Sequence, residues 1–498
     1  MTKKLQTLLF ILAFIEGGAV MCVELCSAKI LTPYFGTSIY VWAAVLGITL
    51  TALMSGYYLG GYISAKNQKK NTIYWLMLIG GLLVTITPVL SNILLPITIK
   101  LSLITGSIVS LVCILFFPLM LFGATSPLLI NWLTTNAKES GKSSGTVYAV
   151  STLGGIITTF VVGFYTLPTF GITQTLYGYG VLVMAYSTYL FIATRTFKTP
   201  VSFILIAGMI TMNFHYRMDE NTLYFSEGIL GEVKVIERTY NTNNQSKTYR
   251  ELLVNNITQT MMDKDNPNKS YWDYVDILSY NINHYKNGNN VLLLGLGGGT
   301  LYKKLKENNL TVDVVEIDER IADVAKQYFN IDKDLTVNVD DARHYINTTP
   351  KKYDIIIYDL FHAETPPTHL MTKEAFTEIK NKLTDNGLLI INFYGYINNE
   401  KGKAARSILK TLNSINFNTH LIATPGNENA RNLLFINGKQ QLKDVMPTNI
   451  NIDLKTVAFK NDMILTDNLP TLEHIYLQAA LDWRKNYNEI NAKQFLKH

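Results

Sequence analysis

From Met1 to His215 the chain carries three acidic side chains, Glu16, Glu24 and Glu139, set among long apolar runs. This scarcity constrains the fold more than any other feature. A helix that is apolar all round must be buried in a large core or embedded in lipid. The same stretch holds 11 Lys/Arg, for a net charge of +8. Residues 216–498 hold 33 bases and 35 acids, for a net charge of −2 and ordinary charge density. A single soluble domain is excluded. So is intrinsic disorder, which requires low hydrophobicity, because 48% of the residues are apolar. The overall charge of +6 does not point to nucleic acid, since the surplus bases lie between apolar runs.

A hydrocarbon core about 30 Å thick needs about 20 apolar residues in a helix. The runs 5–30, 38–65, 72–98, 103–133, 145–166, 172–194 and 200–214 are the expected spans. The first has no small-residue cleavage site after it and is not read as a signal peptide. The last is short. Lys3, Lys4, Lys66, Lys69, Lys70, Lys138, Lys142, Arg195 and Lys198 fall on one side, and Lys29 and Lys100 on the other. Loop bases favour the cytoplasm, which puts the N-terminus inside a cell membrane. Six spans leave the C-terminal half in the cytoplasm and seven put it outside, so 200–214 decides.

Gly56, Gly60 and Gly61, Gly80 and Gly81, and Gly154, Gly155 and Gly163 suit close helix packing in spans 2, 3 and 5. Cys22, Cys26 and Cys113 lie in apolar runs and offer no disulfide framework or zinc spacing. Cys22 and Cys26 are a helical turn apart, so a redox or metal pair and plain packing are the alternatives. Glu16 and Glu24 lie about 80° apart around one helix and can both face a bundle interior. An intramembrane carboxylate marks a partner or a cation path. Pairing of Glu24 with Lys29 and a cation or proton site are the two readings.

After His215 the pattern changes. Residues 232–238 and 248–254 alternate around an Asn-rich turn at 241–245, giving a small β-hairpin module over 216–285. From residue 286 strands and helices alternate. Strands are predicted at 291–294, 311–316, 335–339, 353–358 and 387–393, with helices near 300–308, 319–329, 341–348 and 373–384. That pattern is a doubly wound α/β domain, Rossmann-like, on a parallel sheet.

Ligands bind at the carboxyl ends of such strands. The first strand ends in a turn containing Gly295, Gly297, Gly298 and Gly299, which allows close backbone approach. The second ends at Glu316, 21 residues after Gly295, where an acid can bind ribose hydroxyls. The third ends at Asp340 and Asp341. Asp341 can accept from an adenine amino group, or either acid can cap the next helix. The fourth ends at Asp359, free for reaction chemistry. Together these four features describe an adenosine-type ligand site. The third position of the dinucleotide fingerprint is Thr300, and no G-x-x-x-x-G-K follows. A ligand without pyrophosphate fits best, S-adenosylmethionine or its decarboxylated form. No metal is expected.

These residues resemble spermidine synthases, aminopropyltransferases on a methyltransferase-type fold. More closely, the chain resembles membrane-fused members whose N-terminal half is a major-facilitator-like helical bundle. The likeness in the membrane half lies in 23–47, 117–129 and 148–168. In the soluble half it lies in LLLGLGGGTL, VVEIDE, DDAR, YDIIIYDLF, PPTHLMTKEAF (366–376) and LTDNLP (465–470).

The resemblance implies that Gln259, in NNITQT, touches the nucleoside, and that Tyr274 and Asp276 line the active site. It implies Glu316 as the ribose acid, Asp341 as the adenine acid and Asp359 as the catalytic aspartate. Two positions depart from the family. Spermidine synthases read GGGDGG where this chain has GLGGGT, so Gly298 replaces an aspartate. His362 stands where they carry a second aspartate.

The resulting expectation is an α-helical transmembrane bundle of six or seven spans over 1–215, a small β module over 216–285, and a Rossmann-like, methyltransferase-type domain over 286–498. Its activity would be aminopropyl transfer from decarboxylated S-adenosylmethionine to an amine. The alternatives are a methyltransferase using the intact cofactor, and a non-enzymatic polyamine or nucleoside transporter or sensor. A small amine and the lipid bilayer are the expected partners, with a homodimer as the assembly to consider and no nucleic acid.

Overall fold

A computed structural model describes residues 3–36, 38–66, 71–134, 137–194, 221–242, 245–285, 288–360, 367–438, 450–469 and 471–495. It divides into two compact units, Met1–Glu232 and Val233–His498.

The first unit is helical. It contains α1 (Lys3–Phe35), α2 (Ile39–Lys66), α3 (Asn71–Thr98) and α4 (Leu103–Leu111), the last continuing through a π-helical turn into α5 (Phe117–Leu133). α6 (Ser140–Val161) continues through a second π turn into α7 (Leu167–Ala193), and Gly171 breaks the helical backbone there with φ 78° and ψ 179°. Five helical stretches are long and apolar enough to cross a bilayer: Lys3–Phe35, Ile39–Lys66, Asn71–Thr98, Leu103–Leu133 and Ser140–Ala193. The short run 200–214 lies outside the described residues.

Glycines bring these helices into backbone contact. A Cβ on Gly17 would strike the Ser151 carbonyl, one on Gly154 the Phe14 carbonyl, and one on Gly60 the Ala124 carbonyl. Gly61 and Gly163 differ from the sequence expectation, since both face open space. Cys22 and Cys26 are buried and unbridged. The unit closes with β1 (Thr222–Gly228), where Glu227 Oε2 accepts from the Thr173 amide at 2.9 Å.

The second unit opens with an antiparallel meander, β2 (Gly231–Thr242), β3 (Gln245–Val254) and β4 (Ile257–Asp263). There follow α8 (Asp273–Tyr285), β5 (Asn290–Leu294), α9 (Thr300–Glu307), β6 (Thr311–Glu316), α10 (Glu319–Tyr328), β7 (Val337–Val339), α11 (Ala342–Thr348) and β8 (Tyr353–Tyr358). The chain ends with α12 (Lys373–Lys382), β9 (Leu383–Tyr394), α13 (Lys403–Ser414), β10 (Asn418–Ala423), β11 (Asn432–Gly438) and α14 (Leu472–Phe495).

The seven-stranded sheet runs β10-β11-β9-β8-β5-β6-β7. β5 to β9 are parallel, and β11 is antiparallel to both of its neighbours. Sequence patterning found the five parallel strands and missed β10 and β11. Strand side chains alternate between two faces, and both faces are covered. Val291, Leu293, Ile355 and Ile357 pack under α8, α9 and α10, while Leu292, Leu294, Ile356 and Tyr358 pack under α11 to α14. Double coverage is why β5 and β8 read as continuous apolar runs. This is the strand order of a Rossmann-like, methyltransferase-type domain. The order reverses between β5 and β8, which opens a crevice at their carboxyl ends.

Candidate functional site

Two main-chain segments meet in that crevice. The Asp359 amide donates to the Leu294 carbonyl at 3.0 Å, and the Gly295 amide donates to the Val315 carbonyl at 2.8 Å. Gly295 has φ 91°, and a Cβ there would strike the Asp359 carbonyl. Only glycine lets the loop pass so close to the end of β8.

The loop from Gly295 to Gly299 is closed upon its neighbours. Glu316 Oε2 accepts from the Leu296 amide at 2.9 Å and Oε1 from the Asp318 amide at 3.1 Å. Burial pushes the Glu316 carboxyl up, and these amides work against that. The sequence assigned Glu316 to ligand hydroxyls rather than to protein partners. The structure corrects this, because both oxygens already serve backbone donors and a ribose contact must use the remaining lone pairs. The Gly298 amide donates to Thr260 Oγ1 at 2.9 Å, and the Gly299 amide to the Leu296 carbonyl at 2.9 Å. A Cβ at Gly298 would lie 2.6 Å from Thr260 Cγ2. At Gly297, φ 53°, a Cβ would meet only Thr260 Oγ1, at 3.4 Å, so the loop surface there is open.

Thr260 comes from β4, next to Gln259. Leu252 pairs with Thr260 and Leu253 with Thr258, which leaves Gln259 as the extra residue of a β-bulge. Bulges redirect side chains and collect near active sites.

Asp359 is gripped from two sides. The Tyr274 hydroxyl, from α8, donates to Oδ2 at 3.0 Å, and Asn392 Nδ2, from β9, donates to Oδ1 at 2.8 Å. Asn432 Nδ2, from β11, donates in turn to Asn392 Oδ1 at 2.8 Å. Burial pushes the Asp359 carboxyl up from the usual range, with the Asn392 and Tyr274 hydrogen bonds opposing it. Burial, then the Asp359 charge, pushes the Tyr274 hydroxyl far up, so it stays protonated and donates.

Asp341 caps α11, accepting from the Arg343 amide at 2.9 Å and the His344 amide at 3.1 Å, and His369 Nε2 lies 3.1 Å from its Oδ2. Burial alone would raise this carboxyl, but the His344 amide, His369 and the Arg343 amide together draw it below its ordinary value. Asp276 is exposed on α8, and a separation of two residues turns it about 200° from Tyr274. The structure therefore keeps Asp276 apart from the Asp359 cluster. His362 lies outside the described residues.

Arg343 Nη2 bridges Glu378 Oε1 at 2.8 Å and Asp467 Oδ2 at 2.7 Å, so the acid of LTDNLP is a structural clamp. In the helical unit, Glu16 is 3% exposed and accepts from Ser151 Oγ at 2.8 Å. Glu24 is partly buried and forms no ion pair with Lys29 among the described residues, since five residues turn a helix through about 140°. No group of three His, Cys, Asp or Glu side chains that could hold a metal occurs among the described residues.

Thr260, Asn392 and Asn432 escaped the sequence reading. Asn392 left one signal, a lone amide in the apolar strand LLIINFY. Asn432 left none.

Residues 275–472 match the spermine/spermidine synthase domain, so the C-terminal part of the chain carries that domain. A probable polyamine aminopropyl transferase of Bifidobacterium longum is 31% identical over 147 residues, 29% of this chain and 33% of that protein. A polyamine aminopropyltransferase of Vibrio vulnificus is 37% identical over 111 residues, 21% of this chain and 37% of that protein. An N-terminal histidine N-methyltransferase of Emericella nidulans is 34% identical over 115 residues, 22% of this chain and 21% of that protein. The chain thus spans well under half the length of each of these relatives. A crystal structure of a probable spermidine synthase from Corynebacterium glutamicum aligns with 46% of this chain and 81% of its own at 18% identity, with a TM-score of 0.36.

Proposed function

We propose that the second unit transfers an aminopropyl group from decarboxylated S-adenosylmethionine to an amine, with Asp359 as the reacting acid. The observation that carries this reading is the grip on Asp359 by Tyr274 and Asn392, beside the glycine loop at the reversal of strand order. The matching domain and relatives support it at the family level.

The loop suits a nucleoside better than a dinucleotide. The amides of Gly295, Leu296, Gly298 and Gly299 all have protein acceptors, so no set of loop amides is left for a pyrophosphate. The open surface at Gly297 gives room for close approach. Gln259, Gly297, Glu316 and Asp341 would hold the nucleoside. Once bound, the decarboxylated substrate supplies a propyl carbon attached to a sulfonium, with methylthioadenosine as leaving group. Asp359 would orient the amine and accept the proton it sheds as its nitrogen bonds to that carbon. Positioning does the remaining work.

Methyl transfer from the intact cofactor is the second reading. One observation favours it: the Thr260 methyl fills the space beside Gly298 that an aspartate side chain would need. Titration calorimetry of the full-length protein with both forms, together with an assay for methylthioadenosine release, separates the two. Preference for the intact form and no methylthioadenosine release would overturn the aminopropyl reading.

We read the first unit as embedded in a cell membrane, with the N-terminus and the second unit both cytoplasmic. Loop bases and the shortness of 200–214 support this. An active C-terminal alkaline phosphatase fusion with a dark fluorescent-protein fusion would overturn it.

A further inference from the structure

We propose that Asn432 is a positioning residue for Asp359, acting through Asn392. The inference rests on the reading of Asp359 as the reacting acid, and extends it to a residue that does not touch substrate.

A planar amide has one donor end and one acceptor end. Asn392 is 2% exposed, and turns its donor end to Asp359 Oδ1 at 2.8 Å. Its acceptor end receives Asn432 Nδ2 at 2.8 Å. If Asn392 were turned over, its carbonyl would face the Asp359 carboxylate and its NH2 would face the NH2 of Asn432. Both contacts are repulsive. The Asp359 carboxylate and the donor end of Asn432 therefore favour the same orientation of Asn392, and Asn432 adds the hydrogen bond that holds its acceptor end.

Asn432 is itself fixed at the mouth of the β10–β11 hairpin. Its amide donates to Thr424 Oγ1 at 2.8 Å, and its carbonyl accepts from the Thr424 amide at 2.9 Å. A line of side-chain groups thus runs from Asn432 through Asn392 to Asp359, across β11, β9 and β8, while Thr424 holds the main chain of Asn432. Both side-chain N–H donors on it point toward the carboxylate. Hydrogen bonds in such a chain polarise one another, and the effect strengthens where water is excluded. The line favours the charged form of Asp359 against the burial that disfavours it. Around Asp359, α8 contributes Tyr274, β9 contributes Asn392, and β5 contributes the backbone of Leu294 and Gly295. Tyr274 is the one titratable group in contact with it among the described residues, and it remains protonated.

The test uses the full-length protein with Asn432→Leu, which keeps the shape without the donor, and Asn432→Ala. Each is paired with the same protein carrying Asp359→Asn. The difference in thermal midpoint within a pair, followed across pH, reports the ionisation of Asp359 without reference to activity. Loss of the oriented donor should raise the ionisation midpoint by about 0.3 pH units in both variants, a fraction of the shift expected for a direct hydrogen bond to the carboxylate. The acidic limb of methylthioadenosine release should move by the same amount. An unmoved ionisation midpoint in both variants would overturn the role of Asn432. Absence of methylthioadenosine release in the unaltered protein would overturn the aminopropyl reading instead, and the ionisation midpoints would still decide the role of Asn432.

Discussion

Tyr274 and Asp359 are 85 residues apart in the chain, and their hydroxyl and carboxylate are 3.0 Å apart in the fold. The pair joins a helix that precedes the parallel sheet to the end of its fourth strand. The carboxylate is thereby aimed by an element outside the βα units that form the crevice.

Asp359→Asn keeps the volume and one acceptor oxygen but removes the charge and the base. Nucleoside affinity should stay within about threefold, while turnover falls by about 10²–10⁴. Methylthioadenosine release with a panel of amines measures this, and near-normal turnover would remove Asp359 from the reaction.

Tyr274→Phe removes one of the two hydrogen bonds that hold the Asp359 carboxyl down against burial. That carboxyl should ionise at higher pH, so the acidic limb of the turnover profile should move upward. The expected displacement is about one unit, the equivalent of one hydrogen bond to a charged group. A profile displaced downward would contradict the geometry.

Glu316→Gln leaves one acceptor for the two amides that Glu316 now serves. An unsatisfied buried amide costs about 1–3 kcal/mol. Both the thermal midpoint and nucleoside affinity should fall, the affinity by about tenfold or more. Loss of affinity with unchanged thermal stability would mean that Glu316 meets the ligand and contributes nothing to the loop.

Gly298→Asp would restore the carboxylate that spermidine synthases carry, but Thr260 stands in its way at 2.6 Å. Overpacking of this kind costs about 1–3 kcal/mol. The single change should therefore lower the thermal midpoint, and pairing it with Thr260→Gly should recover part of the loss. Full stability in the single variant would show that the loop yields easily.

Asp341 holds the N-terminus of α11, and its carboxyl ionises below the ordinary range. A carboxyl depressed in the folded state contributes stability above its unfolded value and loses it as pH falls through the folded one. Asp341→Ala should cost about 1 kcal/mol at neutral pH, a typical cap. Asp341→Asn should keep the cap and flatten the acid-side decline in a thermal-melt series.

The parts of the fold that depend on local pattern were legible. Continuous apolar strands, the glycine turn and the acids at strand ends located β5 to β9 and the mouth of the crevice. β10 and β11 were not legible, since their pairing is antiparallel at an edge and no strand-and-helix alternation announces it. Asp359 was legible from its place at a strand end and Tyr274 came from the resemblance, while Asn392 and Asn432 depend on register between β9 and β11, which no local pattern encodes. Glu316 was legible as the acid at a strand end, but its Leu296 amide partner could not be read, because it arises from the curl of a loop 20 residues upstream. Asp276, which the resemblance set beside Tyr274, is exposed on another face of α8, about 200° around the helix.

Gly295 leaves no room for a side chain between the glycine loop and the Asp359 main chain. The separation between the glycine loop and the end of β8 is therefore a property of the sheet, and side-chain exchange in the crevice cannot alter it. Sequence drift within this architecture must leave that spacing alone. A change in the crevice would have to come from reshaping the opposite wall, where β4 contributes its bulge and α8 its tyrosine. Divergence among chains built this way should accordingly collect on that wall, while the loop and the strand end vary together or not at all.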